Sequence, residues 1–376
     1  MYIQETNVPF ILNFSPKHQQ IALTFLSGIG SRRARILIAH FNDLEEFFTE
    51  KTLNLAKIPG VPSNFISFKQ RAAALLEADK ALEHLERIGG QTVFYTEADY
   101  PRRLKNCGDA PLLLYSKGNV DCNPEKIISI VGTRHATDYG KSLTRELIEG
   151  IRQTGTTVVS GMAYGIDICA HTSALENELS TLGVLGHGLD LMYPFAHRKI
   201  ASRMLETGGL VTEFPPGLKP EPSYFPMRNR IVAGMADATI VVESGDKGGS
   251  LITANLANDY SRDVFAYPGD IGRPFSAGCL KLIQEDKAHL LTGPDNFLTM
   301  MDWNIQGPAV VQRKLFTDLN DFEERIVTAL KTKKDLAVDS IGFIASLTAA
   351  EVSTHLLNLE FKGLVRPMPG KRYSLI

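Results

Sequence analysis

The stretch IVGTRHATDYG, residues 130–140, contains a strand, a glycine turn and the start of a helix. An apolar run ends at Gly132, Arg134 follows, and Thr137 or Asp138 suits the N-cap of a helix. A guanidinium beside a helix N-terminus is well placed to bind a phosphate group. The alternative is that Arg134 pairs with a structural carboxylate. The stretch therefore predicts one unit of a parallel sheet with a charged turn at its carboxyl end.

Similar units recur between residues 92 and 300. Apolar runs typical of strands buried on both faces alternate there with amphipathic helical patterns. This alternation predicts an α/β fold with a doubly wound, mainly parallel sheet. The predicted strands are IISIV (127–131), TTVVS (156–160), TLGVLG (181–186), GLVTEF (209–214), ATIVVE (238–243) and DVFAYPG (263–269).

Glycines follow nearly every predicted strand, at the edge of the sheet where open parallel sheets bind ligands. The segment SGMAYGID (160–167) resembles a dinucleotide fingerprint only loosely. Such a motif needs an acid about 20 residues further on, where this chain has Leu185-Gly186-His187. A plain NAD site is not expected, and close helix–sheet packing is the alternative role of these glycines.

A second glycine turn, VESGDKGGSLITANLA (242–257), precedes a predicted helix. The successive amides of Gly248, Gly249 and Ser250 can bind an anion without side-chain charge. The turn lacks the lysine and hydroxyl spacing of a P-loop. The alternative is a tight turn with an N-cap.

Cationic residues stand on four strand-end loops that the predicted fold brings together. We interpret them as a site for a phosphate backbone, and nearby aromatic rings as platforms for unpaired bases. The alternative is that any one of these rings belongs to the core. The cations are Arg134, Arg198, Lys199, Arg228, Arg230 and Lys247, and the aromatic residues are Phe195, Tyr224 and Phe225.

The pair Arg228 and Arg230 cannot face the same way, since residues two apart on a helix are separated by about 200°. One is expected to face the crevice and the other a carboxylate, with Glu213 or Glu243 as candidates. We predict that Arg228 is the structural residue and Arg230 the DNA ligand.

The composition gives no global attraction to polyanions and no sign of a metal centre. The formal net charge is −2, so a polyanion site has to be a local cluster of basic residues. The four cysteines form no CxxC pair and the nine histidines lack metal-ligand spacing. His171 is expected to be a core histidine. With no signal-peptide pattern and no long apolar run, we expect a soluble cytoplasmic protein without cofactor or membrane segment.

Six motifs, in this order, resemble those of the DNA-processing protein A (DprA/Smf) family. They are VGTR, SGMAYGID, GHGLDLMYP, FPMRNRIVAGMAD, VVESGDKGGSLITANLA and VFAYPG. The resemblance is dense over roughly residues 90–300. It implies an extended Rossmann-like domain that binds single-stranded DNA, protects incoming strands in natural transformation and loads the RecA recombinase. It also implies a homodimer without enzymatic activity.

Carried over residue by residue, the resemblance implies a DNA pocket formed by Arg134, Lys199, Arg228, Asn229 and Arg230. His197 stands where many relatives have asparagine. No catalytic or metal residue is predicted. The full predicted DNA-binding set is Gly132, Thr133, Arg134, Ser160, Gly161, Lys199, Phe225, Arg228, Asn229, Arg230, Lys247, Gly248, Gly249 and Ser250.

Four segments are predicted along the chain. Residues 1–88 form a helical domain of helix-hairpin-helix or SAM-like type, and residues 89–301 the extended Rossmann-like domain. Residues 302–317 form a linker, and residues 318–376 resemble a winged helix.

Both flanking segments leave alternatives open. In LSGIGSRRARIL (26–37) a glycine turn with three arginines resembles a helix-hairpin-helix that could contact phosphate, or a bundle that only packs or dimerises. The predicted recognition helix at 347–363 carries Glu351, Glu360 and Lys362. Because phosphate contacts dominate DNA affinity, this composition favours a protein-interaction role.

Two other functions are compatible with the same superfamily. One is a nucleotide-cleaving hydrolase, which would carry a PGGxGTxxE loop. Here the comparable segment reads PGDIGRPFSAG (268–278), without that threonine and glutamate. The other is a nucleotide sensor, which would bind mononucleotides in poor competition with oligonucleotides.

Overall fold

The computed structural model describes residues 14–41, 43–60, 67–303, 319–331, 336–362, 364–368 and 370–375. The chain divides into two compact units, Met1–Ile305 and Gln306–Ile376. The predicted linker at 302–317 lies outside the described residues from position 304 onward.

The first unit begins with helices whose starts follow from local capping. Asp43 accepts a hydrogen bond from the Glu46 amide at 2.8 Å, and Ser67 and Gln70 form a capping box. The helices are α1 (Pro16–Phe25), α2 (Ser31–His40), α3 (Leu44–Thr49), α4 (Thr52–Leu55) and α5 (Phe68–Arg87). The described residues up to position 88 are mainly helical, and the type of domain predicted for residues 1–88 stays a prediction.

These helices share a hydrophobic cluster with the sheet that follows. Ile21 and Leu75 of the helices pack in the same cluster as Phe94 and Tyr115 of the sheet. The boundary predicted at residue 88 stays a prediction.

The first unit is centred on a nine-stranded sheet with the order β1-β2-β6-β5-β4-β3-β7-β8-β9. Strands β6, β5, β4, β3, β7, β8 and β9 are parallel, whereas β2 pairs antiparallel with both β1 and β6. The strands are β1 (Gln91–Phe94), β2 (Leu113–Gly118), β3 (Ile127–Val131), β4 (Thr157–Gly161), β5 (Thr181–Val184), β6 (Gly209–Thr212), β7 (Ala238–Val241), β8 (Asp263–Ala266) and β9 (His289–Leu290).

The predicted α/β fold with a mainly parallel sheet is confirmed, but four predicted strands run too far. The segments 181–186, 209–214, 238–243 and 263–269 each continue two or three residues beyond the observed strand. Apolar residues persist there because the strand ends stay buried while the chain bends away into rim loops. Val242, for example, is buried although it follows the end of β7.

Helices cover both faces of this sheet. Along β3, Ile128 and Ile130 pack with one layer, which includes Leu147. Ile127 packs with the other layer, which includes Ile231. The helices are α6 (Arg102–Lys105), α7 (Asp138–Gly150), α8 (Ile166–Glu176), α9 (Arg198–Thr207), α10 (Tyr224–Met235), α11 (Gly249–Asp259), α12 (Ala277–Gln284) and α13 (Pro294–Met300). The alternation explains why strand sequences read as continuous apolar runs.

The strand order reverses at β3, which lies between β4 and β7. The chain leaves β3 towards β4 on one side and reaches β7 only later on the other. In open α/β sheets such a switch point opens a crevice outside the carboxyl ends of the strands.

The second unit is a winged-helix domain, whose described residues form three helices and a three-stranded sheet of order β10-β12-β11. It has its own hydrophobic cluster, which includes Ile326, Ile341 and Leu356. Its elements are α14 (Asp321–Lys331), β10 (Leu336–Ala337), α15 (Val338–Ala345), α16 (Ala349–Phe361), β11 (Val365–Met368) and β12 (Arg372–Leu375).

Among the described helices, none alone has the length and apolar character needed to cross a membrane. One bent pair, α15 with part of α16, meets that test by length and composition only.

Candidate nucleic-acid interface

A crevice of about 570 Å³ lies at the switch point of the sheet. The loops that follow β3, β4 and β7 form its walls, together with the start of α10. Of the predicted DNA-binding residues, most line it: Gly132, Thr133, Arg134, Gly161, Phe225, Arg228, Asn229, Gly248, Gly249 and Ser250.

The loop between β3 and α7 is held rigidly to the end of β7. Thr137 caps α7, accepting from the Gly140 amide at 3.1 Å, which confirms one of the two predicted caps. The Glu243 carboxylate accepts the Thr137 amide at 2.9 Å, and the Glu243 carbonyl accepts the Thr133 amide at 2.8 Å. The predicted role of Glu243 as an arginine partner is therefore wrong.

Arg134 projects from this rigid loop into the crevice. Its side chain is exposed, and within the described residues no carboxylate forms an ion pair with it. The guanidinium carbon lies 5.7 Å from the centre of the Phe225 ring. A charged fork beside an aromatic face can bind a phosphate while the ring receives a base.

Gly165 shows why the turn after β4 needs a glycine. Its φ is +81°, and a Cβ there would lie 2.1 Å from the Thr133 carbonyl oxygen. The start of α8 can therefore press directly against the Arg134 loop. The close-packing role proposed for these glycines is confirmed at this position.

Arg228 lies buried on the floor of the crevice, 5% exposed. Its Nη1 donates to the Val184 carbonyl at 2.6 Å. A Cβ on Gly161 would lie 2.1 Å from this Nη1 and 2.4 Å from Oδ2 of Asp167, so the two side chains share the space above that glycine. Burial raises the pKa of Asp167, and the Arg228 charge partly offsets that rise. The crevice floor thus holds a cation and a carboxyl side by side.

Arg230 does not line the crevice, whereas Arg228 does. This is the reverse of the prediction that Arg228 is the structural residue and Arg230 the DNA ligand. It forms an ion pair with Glu213 and donates to the Asp109 carbonyl at 2.7 Å. Burial raises the pKa of Glu213, and the Arg230 charge lowers it in part. Glu213 is thus the carboxylate partner, but of Arg230 and not of Arg228. Arg228 and Arg230 lie on opposite faces of α10, and the packing of this helix determines which of them reaches the crevice.

The loop between β7 and α11 presents a helix N-terminus to the crevice. Helix α11 begins at Gly249 and has no side-chain cap on its first amides. The Ser250 hydroxyl donates to the Ser244 hydroxyl at 2.9 Å, which fixes the turn. Neutral amides of this kind supply hydrogen bonds and the positive end of the helix dipole.

Several predicted residues lie outside the crevice lining. Lys199 and Lys247 are exposed and are absent from the crevice lining. Ser160 is fully buried and donates to the Ile130 carbonyl at 2.6 Å. Tyr224 packs on the Phe214 ring, with centroids 4.6 Å apart. These side chains, unlike Arg134, do not line the crevice.

Two residues of the crevice lining, Asp167 and Tyr193, were not predicted from the sequence. Asp167 lies in the first turn of α8. Acidic residues are common at this position because they interact favourably with the helix dipole, so the sequence did not mark Asp167 as a site residue. Tyr193 is half exposed and lines the crevice beside Phe225. An aromatic residue next to proline in a loop was the available signal for it.

The remaining titratable groups give no indication of a metal site. The described residues contain no group of three or more His, Cys, Asp or Glu side chains placed to hold a metal ion. The interpretation of His171 as a core histidine is confirmed. Its ring is fully buried between the Thr181 hydroxyl and the Gly161 carbonyl, both at 2.7 Å.

The fold is Rossmann-like, and a crevice lined by Arg134 and the N-terminus of α11 lies at the switch point of its sheet. The family model "DNA recombination-mediator protein A" matches residues 91–302, and "DprA winged helix domain" matches residues 317–371. The chain belongs to this DprA/Smf family of DNA-processing proteins.

Individual relatives agree with this membership. The chain is 31% identical to Protein Smf of Synechocystis, over 94% of this chain and 97% of the relative. It is 30% identical to the X-ray structure of DNA processing protein A from Streptococcus pneumoniae, with a TM-score of 0.61, covering 80% of this chain and 98% of that one. A structure of the Helicobacter pylori protein, described for its single-stranded DNA binding mode, is 27% identical, with a TM-score of 0.52 over 56% of this chain and 95% of that one.

Proposed function

We propose that the switch-point crevice binds single-stranded DNA. The observation that carries the proposal is the guanidinium group of Arg134, which lies beside the Phe225 ring. The same crevice contains the N-terminus of α11, which has no side-chain cap. Phosphates bind guanidinium groups and helix N-termini, and unpaired bases stack on aromatic rings. The single-stranded DNA binding described for the Helicobacter pylori relative supports this function.

Binding of labelled single-stranded and double-stranded oligonucleotides to the full chain and to Arg134→Ala tests the proposal. We expect the single strand to bind more tightly, and the variant to lose roughly 10- to 100-fold in affinity, the value of one charge-assisted contact. The loss is independent of sequence, since phosphate contacts carry no base information. Lys199→Ala is expected to act in the same direction.

Arg152→Ala is the matched control. Arg152 is an exposed arginine that precedes β4, at the opposite end of the strands, and pairs with Glu178 at 2.8 Å. The proposal fails if both arginine variants bind the single strand as the wild type does, or if both lose affinity equally.

The proposed cellular role is protection of incoming single strands in natural transformation and loading of the RecA recombinase, by a homodimer that is not an enzyme. Membership of a recombination-mediator family supports this role. RecA filament formation on protein-coated single strands, with and without the chain, tests the loading. Sedimentation of the free protein tests the dimer, and incubation with nucleoside monophosphates tests for release of free base.

The winged-helix unit is proposed to contact protein rather than DNA. In α16 the Glu351 side chain is used by the N-terminal capping box, and Lys362, which follows the helix, pairs with Glu323 at 2.7 Å. The helix surface therefore carries little net positive charge for a phosphate backbone.

A further inference from the structure

A groove of about 480 Å³ lies at the carboxyl ends of β7 and β8, and we call it the β8 groove. One wall is formed by residues 267–270 and 273–276, which follow β8. Glu243, after β7, and Tyr139, in the first turn of α7, also line it. No described residue lines both this groove and the crevice, although both adjoin the loop between β3 and α7. The β8 groove is therefore a separate cavity on the same edge of the sheet.

Two hydroxyl groups of the β8 groove are available to a ligand. Tyr267 is 3% exposed and Ser276 is 8% exposed. Neither hydroxyl forms a hydrogen bond with another described residue. Burial raises the pKa of Tyr267, so its phenol stays neutral and can accept a hydrogen bond. Because buried polar groups are normally paired, these hydroxyls indicate a ligand with hydrogen-bonding groups.

The charged groups of the β8 groove favour a cation. Glu243 and Asp270 are two carboxylates and Arg273 is one cation, so the described lining carries a net charge of −1. Glu243 is 7% exposed and accepts from the Thr137 amide and hydroxyl, which leaves further lone pairs on the carboxylate. Arg273 pairs with Asp270 at 2.8 Å and leaves the charge of Glu243 in place. A phosphate group is therefore repelled here, whereas a cation is attracted.

The aromatic walls of the groove suit a planar cation. The Phe275 ring stacks on His135, with centroids 6.4 Å apart and planes at 21°, which orients it. Tyr139 presents a second ring and is 56% exposed. A guanidinium group stacks on aromatic faces and donates five N–H groups in one plane, whereas an ammonium group is compact and strongly hydrated. Two rings beside a carboxylate and two hydroxyls therefore match arginine better than lysine.

We propose that the β8 groove binds an arginine side chain of a partner protein. The guanidinium group lies against the rings of Tyr139 and Phe275 and donates to the Glu243 carboxylate. Its other N–H groups donate to the hydroxyls of Tyr267 and Ser276. A DNA strand is not the occupant, because its phosphates would meet carboxylates.

The surroundings of the groove favour a protein over a free small cation. Ile271 lies in the loop between the two lining segments and is 94% exposed. An apolar residue beside the partner's arginine can pack on Ile271 and remove its surface from water, which a free cation cannot do. The inference goes beyond the proposed function and does not depend on it, because the crevice and the groove have separate linings.

Saturation-transfer NMR with the full chain and capped peptides tests the inference. The peptides are Gly-Leu-Arg-Leu-Gly and its forms with citrulline or lysine in place of arginine. We expect the arginine peptide to bind with a dissociation constant of roughly 1 mM or lower. The lysine peptide is expected to bind less tightly, and the citrulline peptide, similar in shape but uncharged, roughly 10-fold less tightly. Free arginine amide is also expected to bind less tightly than the arginine peptide.

Three outcomes of the peptide series overturn the inference. Equal binding of the arginine and citrulline peptides would show that the groove does not recognise a cation. Lysine binding as tight as arginine binding would remove the match to a planar cation. Free arginine amide binding as tightly as the peptide would remove the assignment to a protein partner.

Tyr267→Phe and Ser276→Ala each remove one unpaired hydroxyl and assign the binding to the groove. Each is expected to weaken binding of the arginine peptide roughly 3- to 10-fold, the value of one hydrogen bond, and to melt like the wild type. Tyr95→Phe is the matched control, since the Tyr95 hydroxyl lies 3.5 Å from the Lys105 carbonyl and lines neither cavity. Unchanged peptide affinity in both groove variants overturns the inference. An equal loss of oligothymidylate affinity in Tyr267→Phe would assign the groove to the DNA interface and overturn it as well.

Discussion

At the residue scale, the ion pair of Arg230 with Glu213 makes a testable contribution to stability. The two side chains are 15% and 14% exposed, so water screens the ion pair weakly. Arg230→Ala leaves Glu213 as an unpaired buried carboxylate, and we expect a loss of about 3–5 kcal/mol in the free energy of unfolding. Chemical denaturation at neutral pH measures this loss.

Arg152→Ala is again a matched control, because it removes an arginine from a pair whose side chains are 52% and 81% exposed. Exposed pairs contribute at most about 1 kcal/mol. Similar losses in the two variants would show that burial does not govern the Arg230 pair.

His171 makes stability depend on pH in a defined direction. Burial lowers its pKa from 6.5 to about 4, so the folded state binds this proton less readily than the unfolded state. The contribution is fully present above the unfolded pKa and is lost as the pH falls from 6.5 towards 4. At pH 5 the loss from this group is about 2 kcal/mol.

The comparison of the wild type with His171→Gln isolates this effect from the buried carboxyls, whose raised pKa values act in the opposite direction. We expect the stability difference between pH 7.5 and pH 5 to be smaller in the variant by about 2 kcal/mol. An identical pH dependence in the two proteins would contradict the buried neutral histidine.

At the scale of elements, α3 depends on a side chain from α5. Arg71 is fully buried and donates to the carbonyls of Phe47, Phe48 and Glu50 at 2.8, 2.7 and 2.6 Å. These are the carbonyls at the end of α3, which the helix itself leaves unpaired. Arg71→Leu is expected to lower the melting temperature and to cost at least about 2 kcal/mol.

Arg87→Leu on the same helix supplies the comparison, since Arg87 is 68% exposed and lies 4.0 Å from Glu83. Its effect is expected to stay within about 0.5 kcal/mol. Equal effects of the two substitutions would mean that Arg71 does not hold the end of α3.

The central strands could be predicted because burial on both faces leaves a continuous apolar run, as in β3. The flanking strands could not. Strand β1 is partly exposed, and β9 is only His289–Leu290, both exposed, so neither carries that pattern. At the site, a cation after a strand end identified Arg134. Helix geometry predicts that Arg228 and Arg230 point in opposite directions. Which of the two faces the crevice and which pairs with a carboxylate depends on how α10 packs on the sheet.

At the scale of the whole molecule, the two compact units allow their contributions to DNA binding to be separated. Removing residues 318–376 is expected to leave single-strand affinity within a few-fold, because the crevice belongs entirely to the first unit. Binding curves of the full and shortened chains provide the measurement. A large loss would assign a DNA contact to the wing, where Arg366 donates to Ser374 at 3.1 Å and Lys371 is exposed.

The salt dependence of binding reports how many phosphates the molecule neutralises. The chain has a net charge of −2, so the proposed binding of DNA has to depend on local groups and not on the overall field. Three or four neutralised phosphates, one of them at Arg134, correspond to a slope of about −2 to −3 in a plot of log affinity against log salt, at about −0.7 per phosphate. Arg134→Ala is expected to reduce the steepness by about 0.7, the share of one phosphate. A slope near zero with intact binding would mean that base contacts, and not the charged crevice, hold the strand.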